Sequence, residues 1–216
     1  MPFLRVGFSL PIHHIEAYPL YPEGRLQQAT LDLLAGSDIQ FRRETRLDIA
    51  LVKNHHIALV FLPAADIPTF VGEGRVDLGI TGGDQVAEHE SISPATATTG
   101  VEQVLDLEFG KCALKVQVPE KGEIRDSRDL VGKNVVTSFV GLTEKYFARL
   151  EGQELRNGDV PIRNILKTKI KYVGGSVEAA CALGVADGIV DLVGQSLMYI
   201  HKRISELTDA QNLERP

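Results

Sequence analysis

The chain has 216 residues, 44% of them hydrophobic and 24% charged. That is ordinary globular usage, which excludes wholesale disorder, and the length suits one domain or two small lobes. A net charge of −6 gives no positive field for a non-specific nucleic-acid or membrane-surface binder, although local anion sites remain open.

In chain order, strands and helices alternate almost throughout. Residues 4–10 read as a short apolar strand. Gly24-Arg25 opens a helix over 26–35, with Leu26, Ala29, Leu33 and Leu34 on one face and Gly36 as its stop. Residues 46–52 alternate Leu47, Ile49 and Leu51 against Asp48 and Ala50, a strand period. The unbroken run 57–62 is expected of a strand covered on both faces. Asp66-Ile67-Pro68 starts a helix that ends at Gly72 or Gly74. Residues 76–80 form a strand and Thr81-Gly82-Gly83-Asp84 a turn into the next helix.

Residues 91–100 are loop-like, 112–118 alternate as a strand, and 119–128 connect to a strand at 134–138. A helix over 142–150 stops at Gly152, and 153–164 reads as a surface excursion. A strand at 170–173, a helix at 176–183 and a strand at 188–193 follow. The tail 195–207 spaces Leu197, Ile200, Ile204 and Leu207 as a helix. Strands joined by short helices imply an α/β fold, with a mostly parallel sheet, helices on both faces and ligands at the carboxyl ends of the strands.

Several features carry chemistry, each beside a plainer reading. Gly174-Gly175-Ser176, between strand and helix, is either a phosphate cradle or a turn with a serine cap. Asp187 and Asp191 flank an apolar strand. They could hold a sugar diol or Mg²⁺, or serve as a turn cap and a solvated carboxylate. Arg25 and Arg46 suit bidentate phosphate contact, but lone arginines are mostly surface solubilisers. The histidines (His13, His14, His55, His56, His89, His201) lack any metal-ligand spacing. No GxSxG, Walker A or GxGxxG is present. Cys112 and Cys181 have no CxxC context and read as reduced thiols. The N-terminus has no signal-peptide pattern and no run approaches the ~18 apolar residues of a membrane span, so a cytoplasmic protein is expected.

The ordered words Gly24-Arg25-Leu26, Arg46-Leu47-Asp48-Ile49-Ala50, Asp66-Ile67-Pro68-Thr69-Phe70, Asp77-Leu78-Gly79-Ile80-Thr81-Gly82 and Asp106-Leu107-Glu108-Phe109-Gly110-Lys111-Cys112 form a series. It continues in Val136-Thr137-Ser138-Phe139 and in Gly175-Ser176-Val177-Glu178-Ala179-Ala180 running on to Asp187-Gly188-Ile189-Val190-Asp191-Leu192. Together, over about residues 24–193, they resemble ATP phosphoribosyltransferase, the first enzyme of histidine biosynthesis, in a fungal-like form. That family joins N1 of ATP to C1 of phosphoribosyl pyrophosphate and releases pyrophosphate.

The resemblance implies two lobes in the style of type II periplasmic binding proteins, 1–110 plus 186–216 and 111–185, with both substrates in the cleft between them. It places Arg25, Arg46, Asp66, Thr81 and Gly82 on the ATP side. Gly175, Ser176, Glu178, Asp187 and Asp191 fall on the phosphoribosyl pyrophosphate side, with Mg²⁺ on Asp187 and Asp191. No general base is assigned. A homo-oligomer, a dimer or higher, is implied, with no nucleic-acid or membrane partner.

Three departures qualify the resemblance. An extra segment, 12–22, separates the first strand from Glu23-Gly24-Arg25, where the family runs directly into Pro-Lys-Gly-Arg-Leu. Gly194-Gln195-Ser196-Leu197-Met198 stands where the family carries a Ser/Thr-Gly-x-Thr phosphate loop. The histidine-binding regulatory domain of long-form members is expected to be absent. A catalytically inactive paralogue or mis-spliced product, binding nucleotide or a catalytic subunit, is therefore the alternative reading.

Overall fold

The computed structural model describes residues 4–10, 26–42, 48–96, 98–152, 166–194 and 204–206. The chain divides into two compact units, Met1–Gly110 and Lys111–Pro216.

In the first unit the elements run β1 (Leu4–Leu10), α1 (Gln27–Gly36), β2 (Ile49–Leu51), β3 (Ile57–Pro63), α2 (Ile67–Gly72), β4 (Leu78–Ile80) and α3 (Gly83–Ile92). The sheet order is β2-β3-β1-β4. β1 is parallel to β3 and β4, and β2 is antiparallel to β3. β3 and β4 lie on opposite sides of β1. Right-handed crossovers then require the intervening helices to cover opposite faces. The packing agrees. Leu34 of α1 joins Ala50, Val52, Leu59 and Phe61 on one face. On the other, α2 sits so close to β4 that a Cβ on Gly79 would lie 2.5 Å from Ile67 Cγ2.

The apolar run of β3 is covered on one face only. Leu59 and Phe61 are buried, whereas Ala58, Val60 and Leu62 are half-buried, and Ile49 and Leu51 of β2 are exposed. α2 covers β1 and β4, and an antiparallel edge strand brings no helix of its own. Helix α1 ends at Gly36, the expected stop. Asp38, not the glycine, takes the left-handed conformation, at φ 55.

In the second unit come β5 (Cys112–Pro119), a 3₁₀ turn (Ser127–Leu130), β6 (Asn134–Thr137), α4 (Val140–Leu150), β7 (Lys169–Tyr172), α5 (Ala179–Ala182), β8 (Gly188–Gly194) and β9 (Ile204–Glu206). The sheet order is β7-β6-β8-β5-β9. β6 is parallel to β7 and β8, while β5 is antiparallel to β8 and β9. β8 is therefore bonded into the second unit's sheet on both sides, and β9 lies on the same sheet. This corrects the expectation that 186–216 belong to the first lobe.

The tail is corrected too. Ile204–Glu206 forms a strand against β5, where helical spacing had suggested a helix, because pairing an open sheet edge outweighs a four-residue apolar period. Leu197, Ile200 and Leu207 lie outside the described residues, as does the excursion 153–164.

β7 and β8 flank β6, so α4 and α5 again take opposite faces. α4 packs where Thr143 meets Thr137. α5 packs on Val136 and Ile189 through Val177 and Ala180. Leu114, Val116 and Val118 of β5, with Val135, Val190 and Phe147, are essentially fully buried and form this unit's centre.

Candidate functional site

In each unit the parallel strands converge at their carboxyl ends, where the connections diverge to opposite faces. In open α/β sheets ligands bind at such edges. Seven of the expected site residues fall on these edges.

In the first unit the edge is built by the turns after β3 and β4. Asp66 occupies the N-terminal position of α2, exposed, with its carboxylate making no cap bond to the helix. Pro68 follows in the first turn, where its missing N–H costs nothing. The Thr81 hydroxyl donates to the Ala64 carbonyl at 3.1 Å and ties the two turns together. Gly82 then starts α3. Asp66, Thr81 and Gly82 thus share one edge. Sequence reasoning passed over Asp84, which is 7% exposed and folds its carboxylate back over Gly82, where a Cβ would collide with it. The only signal for it was its place in the first helical turn. Arg25 and Arg46 lie outside the described residues.

In the second unit the edge is built by three segments. β6 ends at Thr137, whose buried hydroxyl donates to the Val190 carbonyl at 2.7 Å and accepts the Phe139 N–H at 2.9 Å. One side chain therefore fixes both the β6–α4 turn and the neighbouring strand. After β7, Gly174-Gly175-Ser176 form an exposed loop, with Ser176 held at φ 51. A non-glycine residue in that region costs of order 1–3 kcal/mol and persists only where its surroundings impose it. Here Val177, 3% exposed, anchors the loop onto Val136 and Ile189.

The expected helix from 176 shrinks to α5, four residues beginning at Ala179, because a left-handed Ser176 cannot start a right-handed helix. The site is thus an exposed loop and not the end of a helix dipole. Glu178 is exposed directly after it.

Asp191 completes this edge. Val190 is the last residue of β8 paired with β6, so Asp191 lies one residue past the end of the parallel ladder. It shares a face with Ile189, the face on which Val177 packs. Its Oδ1 accepts the Leu192 N–H at 2.8 Å.

Asp187 stands at the other end of β8. Its Oδ2 accepts both the Asn134 N–H at 2.9 Å and the Asn134 side-chain amide at 3.2 Å, and its own N–H donates to the Asn134 carbonyl at 2.9 Å. These bonds clamp the start of β8 to the start of β6. Four residues of extended chain put about 13 Å between the two aspartates. A Mg²⁺ needs its oxygen ligands at about 2.0–2.1 Å. Asp187 and Asp191 therefore do not fit one shared ion, which corrects the expected metal pair. Among the described residues no group of three or more His, Cys, Asp and Glu could hold a metal.

Neither cysteine is placed as a nucleophile. Burial, with the Asp187 charge as a smaller cause, pushes the Cys181 thiol up. Both cysteines are unbridged. No described helix is long and apolar enough to cross a membrane.

Two α/β units, each with a mixed sheet, are of the class of type II periplasmic-binding-protein-like folds. The comparisons agree. The chain matches the periplasmic aliphatic sulphonate binding protein SsuA from Escherichia coli at a TM-score of 0.52 and 15% identity, covering 100% of this chain and 59% of that one. It matches the ATP phosphoribosyl transferase (HisG:HisZ) complex from Thermotoga maritima at a TM-score of 0.65 and 20% identity, over 95% of this chain and 82% of that one.

The family model described as HisG, ATP phosphoribosyltransferase, matches residues 63–199. The ATP phosphoribosyltransferase of Yarrowia lipolytica is 61% identical over 171 residues, 79% of this chain and 52% of that protein. That of Saccharomyces cerevisiae is 53% identical over the same shares. The chain belongs to the HisG ATP phosphoribosyltransferase family, and it spans about half the length of the curated relatives it matches.

Proposed function

We propose that this chain carries the substrate-binding units of an ATP phosphoribosyltransferase and joins N1 of ATP to C1 of phosphoribosyl pyrophosphate. The observation that carries the reading is the second unit's carboxyl edge. There the Gly175-Ser176 loop and Glu178 adjoin Val177, which packs on Val136 and Ile189, and Asp191 shares the Ile189 face just past the end of the β6–β8 ladder, which supports the reading. Exposed backbone N–H groups beside glycines suit phosphate, and carboxylates suit ribose hydroxyls. Asp66, Thr81 and Gly82, on the first unit's edge, are proposed for ATP, with Arg25 and Arg46. Asp187 is proposed as a structural clamp and not as a ligand.

The chemistry asks little of a general base. The C1–oxygen bond to pyrophosphate breaks, its electron pair leaves on pyrophosphate, and N1 supplies the new bond. A carboxylate near the ribose stabilises positive charge developing at C1, and holding two polyanions in register supplies much of the rate. Mg²⁺ is proposed as a companion of the pyrophosphate, since this ion commonly keeps its waters and bridges to phosphate. A cytoplasmic homo-oligomer remains the proposed setting.

The test is to mix the protein with ATP, phosphoribosyl pyrophosphate, Mg²⁺ and pyrophosphatase and follow the ultraviolet absorbance of the adduct. Adduct formation is expected, slow for this chain because 194–198 lack the family's phosphate loop, and faster once Ser-Gly-Glu-Thr is restored at 194–197. Folded protein that forms no adduct in either version would contradict the proposal. Residues 195–198 and 12–22 lie outside the described residues.

A further inference from the structure

We propose that Lys115 is a positioning residue of the phosphoribosyl pyrophosphate site, acting through Asp191 across the β5–β8 ladder. The inference rests on the reading above and adds a residue that the family words do not contain. In the antiparallel register Lys115 is the direct partner of Asp191, between the pairs Leu114 with Leu192 and Val116 with Val190. Directly opposed residues point to the same face, with their Cβ atoms about 4.5–5.5 Å apart. β5 buries Leu114, Val116 and Val118 on the α4 side, each at most 1% exposed, so Lys115 necessarily projects to the α5 side. Both members of the pair are half-buried. Lys115 therefore stands on the face that carries the Ser176 loop.

The physical need is plain. A carboxylate that must contact ribose sits next to a site for a pyrophosphate, in a chain whose net charge is −6. Alone, it would repel the substrate. An ammonium across the ladder cancels that field locally and draws the carboxylate to one rotamer, leaving its acceptor capacity for hydroxyl groups. Lysine serves here as a compact point charge on a flexible stem, and a guanidinium at the same position can do the same.

The experiment is calorimetric titration of phosphoribosyl pyrophosphate with Mg²⁺ into the whole chain and its variants, each checked for an unchanged urea midpoint. Lys115→Met should weaken binding about tenfold, the scale of one charge-assisted contact. Lys115→Arg should stay within about threefold of the parent, since charge is the property used. In an Asp191→Asn background, Lys115→Met should change affinity by less than about twofold, because the charge it offsets is gone. Equal binding by Lys115→Met and the parent would overturn the role of Lys115 alone. So would losses that multiply independently of Asp191, or a Lys115→Arg variant as weak as Lys115→Met. If Lys115→Met does not fold, the Lys115→Arg result and Lys115→Gln decide in its place. A parent protein that binds no phosphoribosyl pyrophosphate at millimolar concentration would overturn both this inference and the functional reading beneath it.

Discussion

Asp187 and Asp191 carry the same functional group four residues apart, and their different surroundings are the basis for proposing opposite duties. The two bonds that Asp187 accepts from Asn134 belong to the fold. Asp187→Ala should cost about 1–2 kcal/mol in urea unfolding, the loss of a charged acceptor at a partly wet site, with ligand affinity nearly unchanged. Asp191→Asn should do the reverse: an unchanged urea midpoint and binding of phosphoribosyl pyrophosphate weaker by about tenfold. Strand parity puts both residues on one face, which is why the sequence paired them. It does not say which end of the strand faces the ligand.

Glu151 offers a residue-scale test by pH. Burial pushes its carboxyl up, but the Thr168 hydroxyl, the Lys167 and Thr168 amides and the Lys167 charge outweigh that and hold it below its ordinary value. A group whose folded pKa is depressed contributes stability above its unfolded pKa, near 4.5, and that contribution is lost as pH falls through the lower folded value. Glu151→Gln should therefore cost about 1 kcal/mol, steady across neutral pH, with the gap from the parent closing as pH falls below 4.5. Urea unfolding at a series of pH values measures it. A gap that widens in acid would refute the assignment.

At the scale of elements, Thr137 shows how one buried hydroxyl sets the edge of the site. It bonds the β8 backbone at Val190 and the turn into α4 at Phe139. Thr137→Val keeps the volume, removes both bonds and takes the hydroxyl acceptor from the Phe139 N–H. A loss of about 1–3 kcal/mol is expected in urea unfolding. The strands of the second unit were legible because β5, β6 and β8 carry long apolar or alternating runs that no helix would bury as well. Helix α4 was legible from its apolar period and from Gly152, which ends it at φ 74.

Two elements were misread for physical reasons. The segment from Ser176 has helix-forming residues, but anchoring Val177 in the core imposes a left-handed turn first. The tail has a helical spacing, but β5 presents backbone groups that Ile204–Glu206 pair. In both, a tertiary contact outweighs a local preference worth only tenths of a kcal/mol per residue.

For the molecule as a whole, the family words cover carboxyl-edge segments of both units, the segments proposed to meet the substrates. The sheet to which each segment belongs was less legible. The run 188–193 reads as a buried strand in either unit, and only its bonds to β5 and β6 assign it to the second. Lys115 was hidden in the same way, as one polar residue in an alternating strand until the register set it opposite Asp191.

The claim on which the rest depends is that phosphoribosyl pyrophosphate sits at the carboxyl edge of the second unit's parallel strands. Hydrogen–deuterium exchange of the whole chain, with and without that ligand and Mg²⁺, tests it most directly. The account predicts slowed exchange over 138–141, 174–178 and 191–193, with 132–134 and 186–187 unchanged. Protection at 132–134 and 186–187, with the Ser176 loop unaffected, would contradict it.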